Sequence, residues 1–176
     1  MRLTGVTPVA VLALAACQPG TTRPTLTPLP EAAVTEVRLP VPDATQELAI
    51  VLRADSLPAR RVELRDGYLE TAWLDSATGR PTQRRPIGQG VVRIRAWADP
   101  ARPGNTQLSV ETSYRPYADP SLPDRELDRQ APPDHPIAIR VRAALEKLIK
   151  EFGGPPSPEA QAPATGSPPE TDDTDR

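Results

Sequence analysis

The residues able to do chemistry in this chain are few and far apart. There is one cysteine, Cys17, and one histidine, His135. A Cys–His dyad, a Cys/His metal site or a Ser–His–Asp triad would each have to use one or both of them. His135 lies in Asp134-His135-Pro136, a run that reads as a helix start, and this assigns it a local capping role. Gly-x-Ser-x-Gly, His-Glu-x-x-His and glycine-rich phosphate loops do not occur. Ile87-Gly88-Gln89-Gly90 contains Gly-x-Gly but opens a strand-like run, not the helix a nucleotide site requires. Glu63 and Glu70 are the notable carboxylates, and alternation places them across a solvated hairpin face, relieved by Arg61 and Arg65. The expectation is therefore a protein that is not an enzyme, with no catalytic residue, no cofactor and no metal.

Cys17 is the exception, because of where it falls. Met1-Arg2 carries a positive charge, and Leu3 to Ala16 is uncharged and mostly Val, Leu and Ala. A charged start, a short apolar run and a small-residue exit form the pattern of a secretory signal peptide. The run is about 14 residues, whereas a membrane-spanning helix needs roughly 20. Its last four residues, Leu14-Ala15-Ala16-Cys17, resemble the lipobox of bacterial lipoproteins. That resemblance implies removal of residues 1–16 and a diacylglyceryl group on the Cys17 sulfur. It also implies acylation of the new amino terminus with chains such as palmitate. One acyl chain binds marginally, whereas two or three hold a protein on a bilayer. Gln18 stands where Asp would favour the inner membrane, so the resemblance points to the periplasmic face of the outer membrane. Ala13-Leu14-Ala15 also has the form of an ordinary cleavage site, which leaves Cys17 an alternative as a plain signal-peptide residue.

Composition bounds the remainder. The chain has 176 residues and 24 prolines, well above the usual ~5%. The prolines cluster outside the periodic segments and so mark linkers. With only two Trp, three Tyr and one Phe, the core must come from Val, Leu, Ile and Ala. The net charge of −2 gives no reason to expect a nucleic-acid partner.

In chain order, residues 17–32 read as a lipidated cysteine and a Pro/Thr-rich tether, and residues 33–153 as a single domain. Residues 154–176 read as a disordered acidic tail. An extended tether from Gln18 to Pro30 would reach roughly 30–40 Å. Alternation around Thr35, Val37 and Leu39 predicts a strand. Asp43, with Gln46 three residues on, predicts a capped helix over 43–55 with Ala44, Leu48, Val51 and Leu52 on one stripe. Asp66-Gly67 between alternating runs predicts a two-residue hairpin turn. In that register Leu64 opposes Leu69, and Val62, Leu64, Leu69 and Trp73 share a face.

Residues 90–98 and 106–114 predict a second hairpin. Val92, Ile94 and Ala96 lie on one face of it and Arg93, Arg95 and Trp97 on the other, which is taken as half-wet. The 115–133 segment is expected to wrap the domain with Tyr117, Leu122 and Leu127 as pegs and one helical turn from Asp124. Ile137, Val141, Ala144, Leu145, Leu148 and Phe152 predict a last amphipathic helix, ended by Gly153-Gly154.

The fold class that follows is α+β: an antiparallel sheet of about five strands with two helices on one face. The order β-α-β-β-β-β-α is similar to TBP-like or helix-grip domains, including those found in a lipoprotein component of the bacterial β-barrel assembly machine. This likeness concerns element order over residues 33–152, and no functional residue comes with it. Two functions are expected. The first is a membrane-anchored envelope module for protein interaction or scaffolding, attached through lipid on Cys17. Its interaction surface would comprise Arg93, Arg95, Trp97 and Tyr117, facing an envelope protein. The alternative is a carrier or sensor holding a small apolar ligand between the sheet and the C-terminal helix.

Overall fold

A computed structural model describes residues 23–153. The expected signal peptide, Cys17 and the expected disordered tail lie outside the described residues. The elements are β1 (Ala33–Val37), α1 (Val41–Ala54), β2 (Ala59–Glu63), β3 (Tyr68–Thr71), β4 (Leu74–Asp75), β5 (Val91–Pro100) and β6 (Thr106–Tyr114). They are followed by α2 (Asp124–Leu127), β7 (Arg129–Gln130) and α3 (Pro136–Phe152). The class is the expected α+β. The antiparallel sheet runs β1-β6-β5-β3-β2, with β4 beside β5 and β7 beside β6.

One sheet face is apolar and packs under the two long helices. Val92, Ile94 and Ala96 of β5 and Leu108 and Val110 of β6 meet Ala44, Leu48 and Leu52 of α1. They also meet Ile137, Val141, Ala144, Leu145 and Leu148 of α3. Three-to-four spacing puts each helix's apolar residues on one stripe, and burying that stripe supplies most of the helix's stability. α1 starts two residues before the predicted cap. Pro40 and Pro42 read as breakers, but proline is compatible with a first turn, and Pro40 stands at the N-cap without a side-chain bond. Asp43 then sits inside the first turn, where its charge favours the positive end of the helix.

The first hairpin is slipped by two residues from the predicted register. Glu63 opposes Tyr68 and Val62 opposes Leu69, so residues 64–67 form a four-residue loop. Gly67 explains the difference. It has φ +60°, and its carbonyl accepts a 2.8 Å bond from the Ala98 amide, so it is already committed to β5. Val62 and Leu64 are left partly exposed at the sheet edge.

β3 also breaks earlier than predicted. Thr71 ends it by accepting the Ile94 amide at 3.0 Å and donating to the Ala72 carbonyl at 2.7 Å. The chain restarts as β4, which puts Leu74 in the core and turns Trp73 away from the apolar face predicted for it.

Residues 24–32 are not a free tether. Arg23 grips Asp99 with two bonds of 2.6 and 3.1 Å, the Leu29 amide donates to Glu111 at 2.9 Å, and Arg125 donates to the Thr27 carbonyl. Asp99 and Glu111 both point from the sheet face opposite the helices, so this segment is a strap laid across that face. The predicted reach of the tether is shortened accordingly.

Candidate functional site

Alternation along β5 and β6 sends Arg93, Arg95, Trp97, Asp99, Ser109, Glu111 and Ser113 to the face away from the helices. Tyr68 and Glu70 of β3 join them through its pairing with β5. The predicted half-wet surface is instead a second interior. Arg95 is 4% exposed, Trp97 0% and Glu111 0%. The cover is the strap together with 115–133, which folds back as α2 and β7. β7 pairs with the end of β6, and the Ala131 amide donates to the Thr112 carbonyl at 2.7 Å.

Arg95 is the hub of this interior. Its Nε donates to Glu70 at 3.2 Å, and its Nη1 donates to Glu111 at 3.1 Å and to Asp128 at 2.8 Å. Arg115 Nε donates to the other Asp128 oxygen at 2.9 Å and its Nη2 meets Asp124 at 2.9 Å. Arg125 clamps both Glu111 oxygens, at 2.6 and 2.9 Å. Arg93 reaches Glu70 at 3.4 Å, and the Arg93 and Arg115 guanidiniums lie 4.4 and 5.1 Å from the Trp73 ring centre. Tyr68 donates to Glu70 at 2.6 Å and meets Trp97 edge-on. Four arginines face four carboxylates, and buried charges persist only when matched in this way.

The electrostatics follow. Burial opposes ionisation of Asp128, but the bonds and charges of Arg95 and Arg115 outweigh it and hold its carboxyl below the ordinary value. Glu70 is likewise lowered: burial works against the anion, and the Tyr68 hydroxyl with Arg93 and Arg95 overcomes it. The Tyr68 hydroxyl is pushed well above its usual range by burial and by the Glu70 anion. Desolvation and repulsion from Arg95 lower Arg93, while Asp128 and Glu111 offset the desolvation of Arg95 and raise it. These carboxylates are held as saturated anions, which suits a structural lock and not a proton-transfer group. Among the described residues no group of His, Cys, Asp and Glu is arranged to hold a metal ion.

Of the predicted surface, Arg93, Arg95 and Trp97 are together but covered, because the segment expected to hang on apolar pegs is locked down by Asp128. Leu127 is buried as a peg, whereas Leu122 and Tyr117 are not. Tyr117 is 49% exposed and rims a cleft of about 280 Å³ with Arg85, Pro86, Ile87, Arg115 and Leu127. A second cleft of about 560 Å³ lies along Leu29–Glu31, Tyr114 and residues 128–133. Neither is lined by α1 or α3, the layer expected to hold an apolar ligand. Glu111, Arg115, Arg125 and Asp128 do not stand out in the sequence by type or spacing. The one available signal is register, since Arg95 and Glu111 are cross-strand partners. His135 caps α3 as expected: its Nδ1 accepts the Ile137 amide at 3.2 Å and its Nε2 lies 3.0 Å from the Gln89 carbonyl.

No protein-family model, curated protein or solved structure matches this chain.

Proposed function

We propose that the protein is an exported envelope lipoprotein acylated at Cys17. Its domain serves as a non-catalytic module for protein interaction or scaffolding at the membrane surface, on the periplasmic face of the outer membrane. The observation that carries this is Leu14-Ala15-Ala16-Cys17 at the end of a charged-then-apolar leader, with the only cysteine of the chain at the acylation position. Among the described residues no helix is long and apolar enough to cross a membrane. The buried arginines and carboxylates pair with one another and tie the 115–133 segment onto the sheet, an arrangement that suits a structural role. The surface offered to a partner is the Tyr117 cleft, whose lining includes the exposed apolar side chains Ile87 and Tyr117.

Mass spectrometry of the mature protein is the test. The expected product starts at Cys17 with an added diacylglyceryl mass, and Cys17→Ala remains unprocessed or unacylated. An unmodified product starting elsewhere overturns the assignment. Crosslinking from membranes through a photoreactive residue at Tyr117 is expected to capture an envelope protein, and a blank result there removes the scaffolding role.

A further inference from the structure

Where the strap leaves the domain sets the way the domain faces. Three connections gather at one end of the sheet. The 64–67 loop sits against β5, since the Ala98 amide donates to the Gly67 carbonyl at 2.8 Å. The turn after β5, residues 101–105, is held to β1 by Asn105 donating to Glu36 at 2.6 Å. The β1–α1 link is held by Thr106 donating to the Leu39 carbonyl at 2.7 Å. Arg23 is bound at this same end, by both Asp99 oxygens and within 3.5 Å of the Asp66 carbonyl. The Tyr117 cleft lies at the other end, where the Gly88 amide donates to the Arg115 carbonyl at 2.6 Å. β5 runs between the two ends with ten residues, or about 33 Å.

Arg23 lies six residue steps beyond Cys17, and six fully extended steps span at most about 20–22 Å. The leash is shorter than the sheet. With lipid on Cys17, the strap end is confined near the bilayer and the cleft end is not. The strap end also exposes Arg65 and Arg102 on its two turns, while Asp66 beside Arg65 is half-buried and the acids Asp99 and Glu36 are engaged by Arg23 and Asn105. We propose that the 64–67 and 101–105 turns form a bilayer-facing end, with Arg65 and Arg102 meeting lipid headgroup phosphates and the Tyr117 cleft projecting away from the membrane. This rests on acylation of Cys17.

Energy transfer in vesicles tests it. The full acylated protein is placed in phosphatidylethanolamine–phosphatidylglycerol vesicles carrying an acceptor on their headgroups. A donor is attached at Ala101→Cys or, separately, at Ala118→Cys, one exposed alanine at each end. Transfer from position 101 is expected to exceed that from 118 by about threefold or more, given the ~30 Å strand length between them. Arg23→Ala releases the strap and is expected to lower the 101 signal without releasing protein from vesicles. Arg65→Glu with Arg102→Glu lowers it as well. Equal transfer from both ends of vesicle-bound protein overturns the orientation and leaves the lipid anchor standing. A 101 signal unmoved by the double arginine change removes the phosphate contact. If the chain does not bind vesicles, or Cys17→Ala binds equally, the anchor fails and the orientation with it.

Discussion

Arg95 and Asp128 stand 33 residues apart in the chain and meet at 2.8 Å, inside a sheet face whose sequence pattern looks solvated. That bond, with Arg115 on the other Asp128 oxygen, fastens the 115–133 segment over β5 and β6. Leu127 and Ala131 contribute apolar burial on either side of it. A second tie from the same segment is Arg125, which clamps both Glu111 oxygens.

Asp128→Ala is expected to destabilise the domain by about 3–5 kcal/mol, because it leaves two buried guanidiniums without their shared anion. Urea denaturation measures the loss, and amide exchange over 124–131 is expected to accelerate most. Asp128→Asn keeps an acceptor and should lose less. A change under about 1 kcal/mol for the alanine variant would mean that apolar burial alone holds the segment.

The same lock makes the domain sensitive to acid. Asp128 and Glu70 have carboxyls lowered relative to an unfolded chain, where they titrate near 4. A lowered folded value means the unfolded state takes up protons first, so the contribution to stability is complete above the unfolded value. It is then lost as pH falls through the folded value. Stability is expected to be flat from neutrality to about pH 5 and to fall steeply below about pH 4. Thermal melts across that range check it. Asp128→Asn should flatten the slope, and an unchanged slope would place the acid-sensitive groups elsewhere.

Much of the architecture is legible in the residues. The spacing of Ile137, Val141, Ala144, Leu145 and Leu148 marks α3 and its buried face, and alternation marks β5 and β6 with Ile94 and Val110 inward. What alternation does not carry is whether the polar face is wet. Arg93, Arg95 and Glu111 would read the same on a solvated sheet, and only partners 14 to 82 residues away in sequence make them interior. The strap is hidden for the same reason. Thr27-Pro28-Leu29-Pro30 has linker composition, and its ties are to Glu111 and Arg125, 82 and 98 residues on. The hairpin slip is subtler. Asp66-Gly67 signals a turn correctly, but the Gly67 bond to Ala98 belongs to a third strand that no two-strand register test includes.

His135 joins two elements at the start of α3. With Nδ1 accepting from Ile137, the proton lies on Nε2 and is donated to the Gln89 carbonyl. His135→Ala removes the cap, for about 1 kcal/mol, and leaves a carbonyl without its donor, for a total near 1–3 kcal/mol. His135→Asn restores an acceptor for the Ile137 amide but is too short to span to Gln89, so about half the loss should return. Equal losses for the two variants would show that the Gln89 bond matters and the cap does not.

Gly67 and Gly104 test the other end of the sheet. Both have positive φ, +60° and +80°, yet their surroundings differ. A Cβ on Gly104 meets nothing within 4 Å, so Gly104→Ala should cost only the left-handed strain of about 1–2 kcal/mol. A Cβ on Gly67 would collide with the Ala98 carbonyl and stand 2.8 Å from Val41 Cγ1. The β2–β3 loop would have to lift from β5, straining the Ala98–Gly67 bond that fixes the hairpin register. Gly67→Ala is therefore expected to cost the same strain plus an overpacking term of about 1–3 kcal/mol. Paired urea melts decide it: the Gly67 variant should unfold at clearly lower denaturant than the Gly104 variant. Equal midpoints would mean that the loop relaxes away from β5 freely, and that the slipped register is set by Tyr68 and Trp97 packing instead.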